Sequence, residues 1–338
     1  MYCNILLLKI CCCKNKNQLI NHNIFDFIDI CCYIIAYEII RTLEIGRMNK
    51  EKIMLWQPEK NIHSYIRPYL IDTNEPRGAV LILPGGGYRI VCEPSEGAPV
   101  AKKFNSLGLH AFVLNYRVEP NTFPSAQIDA MRALQIIRAN AAKWNIKPNV
   151  VGTCGFSAGG HLSASLGSSL VDNVQYSGGD EADNYKRLPD FIISGQGVLS
   201  FRERRNEYNA MRLLGKSDVT EVTQEEMDTL AVEYFVTEKT PPCFIWHTFA
   251  DKVVPFTSSI YFAEALRKHN VPCQLQIFAR GDHGILLGLD TPDVSNWPEL
   301  AAKFIAEYTS EEPTPQEHYT HFYQCDATGT YPGELREE

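Results

Sequence analysis

The chain has 338 residues, a formal net charge of −8 and 45% hydrophobic residues, with 22 glycines and 19 prolines, the make-up of a folded globular protein with room for one α/β domain. The acidic balance and the lack of a basic cluster interleaved with aromatics argue against nucleic acid as a partner. The eleven cysteines do not form a disulfide framework, because Cys3, Cys11, Cys12, Cys13, Cys31 and Cys32 crowd the start while Cys92, Cys154, Cys243, Cys273 and Cys325 are scattered without metal-ligand spacing, a pattern that points to a reducing compartment and no structural zinc.

Residues 1–47 are rich in Ile, Asn and Cys and lack the turn-punctuated pattern that follows. Lys9, Lys14 and Lys16 interrupt any signal-like apolar run, and Asp26, Asp29 and Glu38 fall inside Ile24 to Ile40, so neither a secretory signal nor a membrane span of about 20 apolar residues is expected. We expect Met48 to be the start of the core and the preceding residues to be translated upstream sequence or an appendage. That reading goes with a cytoplasmic protein; an export or membrane-associating segment is the alternative.

From Ile62 onward, short apolar runs alternate with amphipathic stretches, the pattern of strands crossing over through helices into a mostly parallel sheet. Strands are expected at Ser64 to Ile71, Ala79 to Leu83, Ala111 to Asn115, Val150 to Cys154, Phe191 to Ser194, Cys243 to Thr248 and Gln274 to Phe278. Helices are expected at Pro99 to Ser106, Pro124 to Lys143, Ala158 to Leu170, Thr257 to His269 and Trp297 to Tyr308. In the second of these, Ile128, Met131, Leu134 and Ile137 recur at three- and four-residue steps, so one face packs on the sheet. The charged segment Phe201 to Thr240 reads as a small cap inserted in the catalytic domain of residues 48–309. The tail, 310–338, is acidic; His318 and His321 lack a third metal ligand, and a loosely ordered or docking tail is expected.

Three features carry chemistry. Gly155-Phe156-Ser157-Ala158-Gly159-Gly160-His161 follows a strand and opens a small-residue helix. A serine on such a turn needs neighbours without bulk two positions before and after it, so that the backbone can reverse while the hydroxyl projects into a cleft. Pro84-Gly85-Gly86-Gly87-Tyr88 follows the Ala79 to Leu83 strand, and consecutive glycines leave N–H groups bare for an oxyanion. A serine hydroxyl also needs an imidazole to take its proton and a carboxylate to orient that imidazole. His283, in a glycine-flanked loop after the last strand, is the candidate base. Asp251, in the loop after Cys243 to Thr248, is the candidate acid, favoured over Asp282 because adjacent residues rarely turn their side chains on each other. His247 lies within an apolar strand and reads as a core or supporting histidine, and His161 as a residue that packs or hydrogen-bonds the elbow.

The order Ser, Asp, His is that of α/β-hydrolases, and the chain resembles the acetylxylan-esterase-like and feruloyl-esterase-like carbohydrate esterases of that superfamily. The likeness covers most of Trp56 to Tyr308 and rests on the glycine loop, Glu96-Gly97-Ala98-Pro99-Val100-Ala101, Asn115-Tyr116-Arg117-Val118, the serine turn, Pro241-Pro242-Cys243-Phe244-Ile245-Trp246-His247 and Asp282-His283-Gly284. It implies the α/β-hydrolase fold, with Ser157 as nucleophile, His283 as base, Asp251 as its orienter, and Gly86, Gly87 and Ala158 as backbone donors to the oxyanion. It implies hydrolysis of short acyl esters of oligosaccharides, acetyl first, with no metal or organic cofactor. General carboxylesterase, feruloyl esterase and arylformamidase-like activities are the alternatives, and a non-catalytic binding protein on the same scaffold is a further one. The chain departs from such relatives at Gly195-Gln196-Gly197-Val198, where Tyr-Pro is often found, and at Pro94-Ser95, where a basic residue is more usual. Both stretches are expected near loops that shape the acyl or sugar pocket.

Overall fold

A computed structural model describes residues 52–309; the expected extension at 1–47 and the tail at 310–338, with His318 and His321, lie outside the described residues. Eight strands form one sheet: β1 (Ile53–Met54), β2 (Tyr65–Tyr69), β3 (Arg77–Leu83), β4 (His110–Asn115), β5 (Ile146–Phe156), β6 (Ile192–Gly195), β7 (Cys243–Thr248) and β8 (Cys273–Phe278), in the order β1-β2-β4-β3-β5-β6-β7-β8. The β1/β2 and β2/β4 pairs are antiparallel and all pairs from β4 to β8 are parallel. This is the mostly parallel, helix-flanked sheet of the α/β-hydrolase fold.

A strand buried on both faces reads as a continuous apolar run, because successive side chains serve opposite layers. In β3, Leu81 and Leu83 join one core while Val80 and Ile82 join the other. The first core is closed by helices α3 (Ser125–Ala139) and α5 (Ala158–Leu166), the second by α2 (Ala98–Ser106), which follows the single turn α1 (Glu93–Glu96), and by α9 (Trp297–Thr309). Helix α8 (Thr257–Lys268) covers the β6 and β7 end through Phe262 and Leu266, which pack with Ile192 and Ile245.

Several boundaries differ from the sequence reading for identifiable reasons. The helix expected from Pro124 to Lys143 breaks at Asn140, whose side-chain amide donates to the Ile136 carbonyl at 2.9 Å; a short turn, α4 (Ala141–Trp144), then resumes and sets Trp144 against Phe112. Such local side-chain bonds compete with continued helix. The helix expected to reach Leu170 stops at Leu166, because the backbone at Gly167 lies so close to Ile192 and Pro241 that a Cβ there would sit 2.2 Å from Ile192 Cδ1. Strand β5 starts four residues earlier than expected, across an irregularity opposite Arg77 and Ala79, and the two-residue edge strand β1 gives no periodic signal. The segment 201–240 holds α6 (Glu207–Leu214) and α7 (Gln224–Asp228) with three single 3-10 turns. It is packed down by fully buried Phe201, Ala210, Met227, Ala231 and Val232.

Trp297 anchors α9 by stacking on Trp246 at 5.4 Å and donating Nε1–H to the Leu286 carbonyl at 2.8 Å. Trp297→Ala is expected to lower stability by about 3–5 kcal/mol, seen as a lower urea midpoint with an unchanged slope.

Candidate active site

Strand β5 delivers Ser157 to the turn into α5 with φ 53° and ψ −119°, a conformation that costs a non-glycine residue on the order of 1–3 kcal/mol. The surroundings over-determine it. The Ser157 N–H donates to the Gly195 carbonyl at 3.1 Å, and the Ser157 carbonyl accepts from Gly160, His161 and Val198 at 3.0, 3.2 and 3.1 Å. The turn closes only because its neighbours lack side chains: a Cβ at Gly155 would lie 1.9 Å from the Gly159 oxygen, and one at Gly159 would lie 1.9 Å from the Leu83 oxygen.

Residues far apart in sequence converge on that hydroxyl. Ser157 Oγ lies 2.9 Å from His283 Nε2, and His283 Nδ1 lies 2.8 Å from Asp251 Oδ2. Asp251 accepts at Oδ2, so His283 carries its proton on Nδ1 and presents Nε2 as the acceptor to the serine. Asp251 Oδ1 accepts from the Val253 and Val254 N–H groups at 2.9 Å each. Burial alone would raise the Asp251 carboxyl, but the bonds from His247, His283 and the backbone outweigh it and hold the group well below the usual carboxylate range. Asp282 is turned away; it accepts from its neighbour's backbone N–H and pairs with Lys252 Nζ at 3.2 Å on the surface.

His247 backs the acid. It is fully buried, its Nε2 lies 3.0 Å from the Val254 carbonyl and 3.3 Å from Asp251 Oδ2, and its Nδ1 meets Ser259 Oγ at 2.8 Å. His161 serves the other side: Nδ1 accepts from Tyr88 Oη at 2.7 Å and Nε2–H donates to the Leu230 carbonyl at 2.8 Å. One imidazole thus ties the elbow helix to the glycine loop and to the 201–240 insertion.

The glycine loop lies beside the serine, so that a Cβ at Gly85 would be 3.1 Å from Ser157 Cβ. Gly86 and Gly87 have φ 126° and 63°, backbone that an L side chain resists. Among the described residues no carbonyl or side chain takes the N–H of Gly86, Gly87 or Ala158; the last is also one of the unpaired first-turn donors of α5. The loop is held from below. Tyr116 Oη donates to the Pro84 carbonyl at 2.6 Å, and the Gly85 N–H donates to Glu96 Oε2 at 2.5 Å. Burial lifts the Glu96 carboxyl above its ordinary value, while the Gly85 N–H and nearby His283 pull it back.

Sequence reasoning named Ser157, Asp251, His283, Gly86, Gly87 and Ala158, and all six meet at the carboxyl ends of β3, β5, β7 and β8. It did not assign Glu96 or Gln196. A buried carboxylate eleven residues past a glycine loop has no periodic signature, and Gln196, in the stretch expected to shape a pocket, turns its side chain to the His283 loop instead. The geometry can carry a proton from Ser157 Oγ to His283 beside backbone N–H groups that have no partner among the described residues, features that acyl transfer requires. Among the described residues there is no cluster of three metal-ligating side chains, and no helix is long and apolar enough to cross a membrane.

The BD-FAE family matches the chain over residues 69–266. The chain is 35% identical over 226 residues to endo-1,4-beta-xylanase B of Butyrivibrio fibrisolvens, covering 66% of this chain and 34% of that protein. It is 31% identical over 225 residues to an acetylxylan esterase of Xylanibacter ruminicola, covering 64% of this chain and 43% of that one. It therefore spans less than half the length of these curated relatives. The crystal structure of an acetyl ester-xyloside bifunctional hydrolase from Caldicellulosiruptor lactoaceticus superposes with a TM-score of 0.68 at 36% identity, over 75% of this chain and 94% of that one.

Burial pushes the His161 imidazole down from 6.5 to about 4. Between those values the unfolded chain binds a proton that the folded chain refuses, so stability is full above pH 6.5 and falls as pH drops toward 4. Replacing His161 with Gln is expected to flatten that acid loss, by about 3 kcal/mol over the window, in urea midpoints measured at stepped pH. The carboxylate loss belonging to Asp251 starts lower and should persist in the variant.

Proposed function

The chain belongs to the BD-FAE family of α/β-hydrolases, and from that membership we propose that it is a serine esterase removing short acyl groups, acetyl first, from xylan-derived or other oligosaccharides. The observation that carries the reading is the unbroken relay from Ser157 Oγ through His283 to Asp251, at 2.9 and 2.8 Å, beside unpaired backbone donors. The acetyl and xylan preference is supported by the names of the Xylanibacter and Caldicellulosiruptor relatives.

In this reading Ser157 Oγ attacks the ester carbonyl carbon as His283 Nε2 takes the hydroxyl proton. Asp251, held ionised, stabilises the imidazolium. The carbonyl oxygen becomes an oxyanion and accepts from the N–H groups of Gly86, Gly87 and Ala158. As the tetrahedral intermediate collapses, the ester C–O bond breaks and His283 returns its proton to the departing sugar oxygen. Water then attacks the acyl-serine with His283 again as base, giving the free acid and restoring Ser157. The 201–240 insertion is proposed to cover the site and select the substrate. What supports this is that Arg212 Nη1 reaches the Gly87 carbonyl at 3.4 Å, with Asn209 beside it on α6.

The deciding measurement is acetate release from acetylated xylo-oligosaccharides. Release abolished by Ser157→Ala is the expected result; no acetate from the unaltered protein would overturn the acetyl assignment and direct assays to feruloyl, aliphatic and formamide substrates. Asp251→Asn is expected to lower kcat by about 10⁴-fold. If the asparagine oxygen stays on the Val253 and Val254 N–H groups, its NH2 faces His283 Nδ1, and the imidazole takes the tautomer that cannot accept the serine proton.

A further inference from the structure

We infer that Gln196 is a positioning residue that holds the His283 backbone where its ring can reach both Ser157 and Asp251; the inference rests on the triad reading above. The ring is fixed at its far end by those two partners. Apart from the surface tether of the Asp282 carboxylate to the N–H and Nζ of Lys252, the backbone beneath it has little to hold it, because His283 sits between Gly281 at φ 111° and Gly284 at φ 77°. Asp282 and Gly284 are exposed, and a Cβ at Gly284 would meet nothing within 4 Å.

The Gln196 amide supplies the missing constraint. Its Oε1 accepts from the Gly284 N–H at 2.8 Å, and its Nε2 donates to the Asp282 carbonyl at 3.0 Å and to Thr248 Oγ1 at 2.8 Å. The residues immediately before and after His283 are therefore clamped by one planar group. The flipped amide would set NH2 against the Gly284 N–H and oxygen against the Asp282 carbonyl, so the network admits a single orientation. Gln196 itself is anchored: it is 3% exposed, its N–H donates to the Trp246 carbonyl at 2.9 Å, and its φ of 46° turns the side chain off the end of β6 toward β8. Thr248, the third partner, ends β7, and its carbonyl accepts from the Asp251 N–H at 3.2 Å. The same amide thus references the base loop to the acid loop.

Only an amide meets these demands. The site needs one acceptor for an N–H and two donors, one of them for a carbonyl; a carboxylate brings acceptors only and a thioether none of either. A base displaced by about 1 Å can lose on the order of 10²-fold in rate, and that loss falls on the chemical step more than on substrate binding.

The test uses p-nitrophenyl acetate hydrolysis by the full chain and three variants. Gln196→Met keeps the volume and removes all three hydrogen bonds; kcat is expected to fall about 10- to 100-fold with KM within about two-fold and the circular dichroism spectrum retained. Gln196→Glu places a carboxylate beside the base loop, which stabilises the imidazolium and shifts the acid limb of kcat/KM to higher pH, a change that a purely structural role would not produce. Gln196→Met with unaltered kcat, or with the loss confined to KM, overturns the inference. Should Gln196→Met fail to fold, the Gln196→Glu profile decides, and an unmoved acid limb overturns it. Ser157→Ala, run in parallel, separates the two failures: an active Ser157→Ala sinks the triad reading itself, whereas an inactive one beside an unaffected Gln196→Met sinks only the role of Gln196.

Discussion

The approach of α5 to the end of β3 is the contact on which the rest of the site depends. For Ser157 to stand on its turn, the Gly159 backbone must come so near the Leu83 carbonyl that no Cβ fits between them. That contact binds the first turn of α5 to the strand next door. Because β3 and β5 are direct neighbours, the chain leaving β3 has nowhere to go but past the serine, and it does so as three glycines. Ser157 and the glycine loop are thus placed together by strand order and a missing side chain, before any polar interaction between them is considered.

Two buried histidines near this contact pair in a way that links elements rather than decorating one of them. His161 joins α5 to the glycine loop and to the 201–240 insertion; His247 joins β7 to α8 and to the acid loop. Away from the site, fully buried Asp129 accepts from Trp56 Nε1, Ser64 Oγ and Arg117, which tethers α3 to the antiparallel edge and to the segment after β4. An unpaired buried donor or acceptor costs about 1–3 kcal/mol. Each of these residues therefore penalises any shift of the elements it bridges.

What could be read in the sequence was whatever local geometry demands of local residues. The serine turn needs Gly155 and Gly159 at fixed offsets, the donor loop needs its glycines, and buried strands need continuous apolar runs, so each declared itself. Glu96 did not, because its role depends on the Gly85 N–H lying above it, and that is decided by packing. Nor did the break at Asn140 or the stop at Gly167, where one side-chain bond and one close approach override helical periodicity. Asp251 rather than Asp282 meets the His283 ring, as the divergence of neighbouring side chains leads one to expect, whereas the pairing of Asp282 with Lys252 depends on the fold.

The two halves of the site differ in how they are held, and the difference has chemical sense. Ser157 is locked by backbone contacts at the carboxyl ends of the central strands β3 and β5, and the glycine loop beside it by Tyr116 and Glu96, where an error in position would spoil both attack and charge stabilisation. His283 rides on an exposed loop between two left-handed glycines, steadied by side chains: Asp251 at the ring, Gln196 at the backbone and Trp297 beyond, at Leu286. In the proposed cycle the base must serve twice, first between the serine and the departing oxygen and then between water and the acyl-serine. These positions are not identical. With the backbone held by Gln196, the imidazole adjusts between them through its own side-chain torsions, while the oxyanion donors, which face the same oxygen in both halves, need no such freedom.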